Sequence, residues 1–318
     1  MPIRTEKIRK VAKKLLNDHR VDVVIGYKKG TIPLKNIPYF AKNAEEADKL
    51  VWDGNCRGNL ASYLSRFNDK RVAIIAQGCV SRNIVGLIQE KQINSDNLYI
   101  IGVPCTGMLD SRKLIAAVPG EITEVTENDL YVIAKGRGFE VTMNRGDVLS
   151  RNCDRCTVRN PVLFDELAAE KVNEQKDPVR YEKIKAVEAM SPEERAAFVD
   201  ELLSPCIRCY ACRDACPLCY CPECFVDKSS PQWCGKSQDS TDVLSYHLIR
   251  AFHTAGRCTE CGACEDACPM GIKVRLISGK VEKEIRENFD GYEAWKDLKT
   301  QPPLTVFKRD DPQPFVKE

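Results

Sequence analysis

The chain has 318 residues, 43% hydrophobic and 30% charged, with a formal net charge of +2. That is apolar material for about two ordinary cores and excludes wholesale disorder. The near-balanced charge argues against a nucleic-acid-binding surface, and no apolar run reaches the roughly 20 residues of a membrane-spanning helix. The opening MPIRTEKIRKVAKKLL lacks the apolar core of a signal peptide, so a cytoplasmic location is expected. The 17 cysteines are the departure. Short secreted chains use such thiols as disulfide scaffolds, whereas in a long chain without a secretory signal they are expected to be reduced and available as ligands.

In chain order, Ile8–Leu16 reads as a basic amphipathic helix with one face to solvent. Four short β-branched stretches read as buried strands: Val21–Gly26, Val72–Ala76, Leu98–Val103 and Leu130–Ala134. Between the second and third, Ile84, Leu87 and Ile88 trace the apolar face of a helix that turns polar at Lys91. Strand, helix and strand within about thirty residues is the spacing of a βαβ unit with parallel strands. Residues 1–160 therefore read as an α/β domain. After the first strand, Gly54-Asn55-Cys56-Arg57-Gly58-Asn59 is a polar turn before a helix. Gly54, Arg57, Gly58 and Asn59 are weak candidates for holding an anionic cofactor, with an ordinary connecting loop as the alternative, and Cys56 has no assigned role. No GxGxxG follows the first strand, no Walker A motif is present, and Gly136-Arg137-Gly138 is too short to count as a nucleotide loop.

Cys79 follows the second strand and Cys105 the third. Ligands of open α/β sheets bind outside the carboxyl ends of the strands, so both thiols are expected on one rim. Cys153-Asp-Arg-Cys156 adds a C-x2-C hook, making four thiols, enough for one [4Fe–4S] cluster. Buried structural cysteine is the alternative for each taken singly.

Residues 161–204 are charged, helix-prone and free of cysteine, and read as a connector. Ser191-Pro192-Glu193-Glu194 predicts a capping box with proline at the first helical position, and the helix is expected to stop at Ser204-Pro205.

Two C-x2-C-x2-C-x3-C-P runs follow, Cys206–Pro217 and Cys258–Pro269. Three closely spaced thiolates wrap one iron–sulfur cube and the fourth reaches the other. The expected sets are Cys206, Cys209, Cys212 and Cys268 on one [4Fe–4S] cluster, and Cys258, Cys261, Cys264 and Cys216 on the second. Structural zinc instead shows paired hooks. The expectation is a small α+β two-cluster domain over 205–278 carrying an insertion, 217–257. In that insertion Cys219, Cys221, Cys224 and Cys234 could hold a further cluster or a zinc ion. Its later part, Asp242–Ala255, reads as a helix with Val243, Leu244, Leu248 and Phe252 inward, and with His247 and His253 as ordinary helix residues. Residues 279–318 read as a charged helix and a Pro-rich tail.

The segments RVAIIAQGCVSRNIVGLIQ, LYIIGVPCTG and RNCDRCTVRNP resemble the beta-subunit family of coenzyme F420-reducing hydrogenases and formate dehydrogenases over about residues 10–165. Residues 204–272 resemble bacterial-type ferredoxins. The first resemblance implies cluster ligands at Cys79, Cys105, Cys153 and Cys156, beside FAD that exchanges a hydride with F420. The expected function is an iron–sulfur electron-transfer subunit of an anaerobic oxidoreductase complex of the hydrogenase, formate dehydrogenase or heterodisulfide-reductase type. It would hold three [4Fe–4S] clusters, with a fourth metal site and FAD left open, and have other redox subunits as partners. The alternative is a flavin-containing subunit that itself oxidises or reduces F420 or NAD(P)H. A zinc-stapled scaffold is the non-redox reading, which the Cys-Pro runs disfavour. Arg155, Arg208, Arg213 and Arg257 lie one or two residues from expected ligands, either to stabilise reduced clusters or simply solvated. With three histidines in the chain, no catalytic grouping stands out.

Overall fold

The computed structural model describes residues 2–176 and 179–306, so 307–318, most of the expected Pro-rich tail, lie outside the described residues. Helix α1, Pro2–Asn17, buries Ile8, Val11, Ala12, Leu15 and Leu16 at helical spacing and turns its lysines outward. It covers a five-stranded sheet of β1 (Val23–Lys29), β2 (Asn36–Ala41), β3 (Val72–Ala76), β4 (Leu98–Gly102) and a two-residue strand that closes one edge. The order across the sheet is β2-β1-β3-β4 and then that edge strand. β1, β3 and β4 run parallel, and β2 is an antiparallel hairpin partner of β1. The central strand β3 is buried at every residue, which is why it reads as an unbroken apolar run. Helix α2, Gly78–Gln89, makes the crossover from β3 to β4. The expected βαβ unit is thus present, within a mixed α/β fold.

The fourth expected strand belongs elsewhere. Strands β5 (Ile122–Glu127), β6 (Tyr131–Gly136) and β7 (Phe139–Asn144) form a separate antiparallel meander. In β6 only Val132 and Ala134 are buried, the alternation of a one-faced sheet. Asn128 Oδ1 accepts from the amides of Leu130 and Tyr131 and closes the first turn, and Gly138, at φ +82°, closes the second. Gly136-Arg137-Gly138 is therefore part of a hairpin.

The edge strand β8, Glu166–Leu167, falls within the expected connector and pairs parallel with β4. Helices α3 (Glu182–Glu188) and α4 (Pro192–Leu203) follow. The Ser191 hydroxyl accepts from the Glu194 amide while the Glu194 carboxylate accepts from the Ser191 amide, the reciprocal cap the sequence announces. In the cysteine-rich half the longer elements are α5 (Ser240–His253) and α6 (Arg275–Asn288). α5 departs from expectation. Val243, Tyr246, His247, Arg250 and Ala251 are its buried residues, while Leu248 and Phe252 are exposed. Their apolar side chains line a surface groove against α3, α4 and α6. The inward face instead meets cysteines, so it carries polar residues.

Among the described residues no helix is long and apolar enough to cross a membrane.

Candidate iron–sulfur centres

Cys79 stands in the first turn of α2, three residues beyond the end of β3. The preceding Gly78 is required there, because a Cβ would run into the carbonyl of Val158 on the returning chain. Cys105 follows β4 and is held from both sides. Its amide donates to Arg159 O at 2.9 Å, and its Sγ accepts from the Gly107 amide at 3.3 Å. Cys153 lies on the helical turn Arg151–Asp154, and Cys156 just after it. Gln175 Nε2 donates to both of their carbonyls, at 3.0 and 3.1 Å. All four sulfurs face one pocket at the carboxyl end of the parallel strands.

Burial drives the chemistry of this pocket. It pushes the Cys79 thiol well above its ordinary value, and the neighbouring Cys261, Cys156, Cys105 and Cys153 add to the rise. Cys105 is pushed up to about 11, again mainly by burial. Four thiols facing one another out of water cannot all ionise unless a positive core lies between them. Arg82, Arg155, Arg159 and Arg180 line the same pocket. A soft thiol set lining one pocket and ringed by cations fits a multi-iron cube.

Behind this rim Arg145 is buried. Its guanidinium donates to Thr106 O and Gly107 O at 2.8 and 2.6 Å and pairs with Glu127 at 3.1 Å. Glu127 in turn accepts from the Gly54 amide. In the 54–59 loop, Arg57 pairs with Asp266, and Asn59 caps the helical turn Leu60–Phe67. Arg57 and Gly58 line the thiol pocket, but the anion at Gly54 is the chain's own Glu127. Cys56 is fully buried in the main core, with Asn36 Nδ2 at 3.3 Å and the Asp53 amide at 3.4 Å donating to its sulfur. It is a structural thiol.

The two Cys-Pro runs fold alike. Residues at matching places take the left-handed conformation: Arg208 and Tyr210 in the first, Glu260 and Gly262 in the second. Each pair precedes a helical turn, Ala211–Asp214 or Ala263–Asp266. The bend aims backbone donors at sulfur: the Glu260 amide donates to Cys258 Sγ at 3.4 Å, and the Arg208 amide does the same for Cys206. Cys206 neighbours Cys212 and the distant Cys268, whereas Cys264 is pushed up to about 12 by burial, with Cys216 and Cys261 beside it. Cys209 is exposed. Cys219 contacts Cys216, and Cys219, Cys221 and Cys224 line a separate cavity of about 420 Å³. Cys234 is buried away from that cavity, donating to Gly235 O and Asp242 O. The four insertion thiols divide three and one. Among the described residues no three His, Cys, Asp or Glu groups lie close enough for a single metal ion.

Comparison with known proteins adds the class. Residues 253–273 match the family model described as a 4Fe–4S binding domain. The chain carries a 4Fe–4S binding domain. It is 28% identical to the F420-dependent formate dehydrogenase subunit beta of Methanocaldococcus jannaschii, across 93% of each chain. It is 27% identical to the F420-dependent formate dehydrogenase 1 subunit beta of Methanococcus maripaludis, across 92% of this chain and 91% of that one. Among solved structures, a chain of the F420-reducing [NiFe] hydrogenase complex from Methanosarcina barkeri is 17% identical. That match covers 48% of this chain and spans 58% of that one, with a TM-score of 0.38.

The two halves meet through contacts that sequence reading does not reveal. Asn152 Nδ2 donates to Cys261 O at 2.7 Å, and Asn83 Nδ2 to Thr259 Oγ1 at 2.7 Å. Gly262 sits under Asn152, with no room for a side chain. Arg112 donates to Cys268 O at 3.0 Å. Cys261 itself lines the pocket of Cys79, Cys105, Cys153 and Cys156. Of the arginines singled out by sequence, Arg213 and Arg257 are paired with Asp227 and Glu90, and Arg155 donates to Arg180 O. Arg208 is buried, donating to Tyr210 and Gly235 O.

Proposed function

We propose that this chain is an iron–sulfur electron-transfer subunit of a formate-dehydrogenase- or hydrogenase-type complex, and that it holds three [4Fe–4S] clusters. A cube ligated by four cysteines accepts and returns one electron and leaves no iron open to substrate. The sets are Cys206, Cys209, Cys212 and Cys268; Cys216, Cys258, Cys261 and Cys264; and Cys79, Cys105, Cys153 and Cys156. The observation that carries the reading is the position of Cys261. It belongs to the second set and lines the pocket of the third, so the two neighbouring sites share a wall. At the other end of the series, exposed Cys209 offers an entry from a partner subunit. The chain's part is to exclude water, to fix the sulfurs and to keep the sites close. The composition 205–278, two ligand runs around an inserted segment 217–257, makes one domain of this series, and 1–160 carries the other end.

Anaerobically prepared protein should contain about 12 iron atoms per chain. Zinc with negligible iron overturns the reading. Cys79→Ser or Cys153→Ser should remove about four of those iron atoms and one EPR signal, and unchanged iron would refute the rim site. Metal beyond the twelve would belong to the cavity of Cys219, Cys221 and Cys224. The relatives' names favour F420 as the hydride partner of the complex. A flavin released on denaturation, with F420 or NAD(P)H oxidation by the isolated chain, would make this chain the F420- or nicotinamide-reacting subunit as well.

A further inference from the structure

Helix α5 lies in the insertion between the two Cys-Pro runs, and its inward face is polar where a packing helix would be apolar. Tyr246 is almost wholly buried, with its hydroxyl 3.5 Å from Cys212 Sγ. His247 is also buried, with Nε2 3.4 Å from Cys206 Sγ. One turn on, Arg250 Nη2 donates to Cys212 O at 2.9 Å. Three successive polar contacts from one helix therefore fall on two ligands of the same set. The other set has a different surround, with the carboxylates of Glu282 and Glu260 facing Cys258, and Arg275 and Arg180 paired to Glu260.

A sulfur bound to iron carries no proton, so the contacts can run one way only. Tyr246 O–H and His247 Nε2–H donate, and sulfur accepts. Each one-electron reduction adds a negative charge to the cube and its ligands, with no bond made or broken. Donors to sulfur therefore stabilise the reduced form more than the oxidised one and raise its potential. Near Cys258 the Glu260 carboxylate is already matched by Arg180 and Arg275, and Asn59 gives Cys261 one side-chain donor, against the two that α5 gives Cys206 and Cys212.

We propose that Tyr246 and His247 make helix α5 a tuning plate, raising the reduction potential of the Cys206/Cys209/Cys212/Cys268 site above that of the Cys216/Cys258/Cys261/Cys264 site. Both are positioning residues acting through ligand sulfurs. The difference gives the two sites an order: an electron arriving at the pair rests first on the site nearest exposed Cys209. Arg250 reaches ligands of both sites, so its charge shifts both together and leaves the order to Tyr246 and His247.

This rests on the two-cluster reading of the Cys-Pro runs, and the test keeps the two apart. The full chain is prepared anaerobically, its iron counted, and its EPR signals followed in a dithionite titration. Tyr246→Phe removes one oxygen, His247→Leu removes a donor, and His247→Gln retains an N–H. Expected is a fall in the higher-potential signal for Y246F and H247L, an intermediate value for H247Q, and an unmoved lower-potential signal. Iron retained with the higher signal unmoved overturns the plate, as does an equal fall in both signals. If H247L loses iron, Y246F alone decides. A wild-type chain without iron in these runs overturns the two-cluster reading instead.

Discussion

Around Cys79 and Cys105 the thiols stand at the edge of a core that is complete without them: Val24, Ile25, Ile74, Ile75 and Ile101 are fully buried in the sheet beneath. Between Cys206 and Cys268 the relation is reversed. The apolar groupings there are small, and cysteines are members of them: Cys268 with Leu203, Val243, Ile272 and Val274, and Cys212 and Cys234 with Val226 and Tyr246. The two halves draw their stability from different sources. The first half folds by hydrophobic burial and then offers a site. The second buries only small apolar groups, so metal bound by its thiolates would add to its stability.

Removing iron should affect the two halves most unequally. Anaerobic chelation should leave the amides of Ile74, Ile75 and Ile101 protected from hydrogen exchange. Those of α5 should lose protection by several orders of magnitude. Equal loss in both halves would show that the sheet too depends on metal. No loss in either would show that the second half has a sufficient core.

Next comes Arg145→Met, a test confined to the first half. Arg145 and Glu127 have 3% and 6% of their side chains exposed, and removing the cation strands a buried carboxylate. The expected cost is about 3–5 kcal/mol, measured by denaturant unfolding of the first half. The carbonyls of Thr106 and Gly107 lose their donors too, so iron bound at Cys105 should fall with it. A cost below about 1 kcal/mol would mean that Glu127 reaches water.

Legibility in the sequence followed the same divide. β1, β3, α2 and β4 were readable because burial on both faces leaves an uninterrupted β-branched run, and the intervening helix keeps its period. The Cys-Pro runs were readable because their ligands lie close together along the chain. β6 is harder to place, since Leu130–Ala134 is apolar enough for a buried strand and only its turns, Asn128 and Gly138, mark it as a hairpin. Phe252 and Leu248 lie outward against their apolarity, because the inward side of α5 faces sulfur. Asn83, Asn152, Tyr246, His247 and Arg250 carry no signal of their own. Each matters through a partner far along the chain, such as the 109 residues between Asn152 and Cys261.

The boundary between the halves gives a smaller effect. Arg57 on the first half pairs with Asp266 on the second, each side chain about one-fifth exposed. Arg57→Ala should cost about 1–2 kcal/mol, between the exposed and buried limits. Its signature is reduced coupling: the two halves should unfold at more widely separated denaturant concentrations, while iron content stays whole. A single unchanged transition would show that Asn152, Asn83 and Arg112 hold the boundary without it.

The smallest expected effect is the sharpest about location. Ser191 caps α4, which contributes Val199, Leu202 and Leu203 to the same apolar grouping as Cys206 and Cys268. Ser191→Ala removes the acceptor for the Glu194 amide and should cost about 1 kcal/mol. The first half neither packs on α4 through that grouping nor shares its cap, so its unfolding midpoint should not move. If iron binding supplies most of the second half's stability, that cost should be masked in the metal-loaded chain. It should reappear when unfolding is followed as iron is drawn off: a chelator midpoint shifted to lower concentration, with the sheet transition unchanged. A shift in the sheet transition instead would mean that the two halves fold as one cooperative unit.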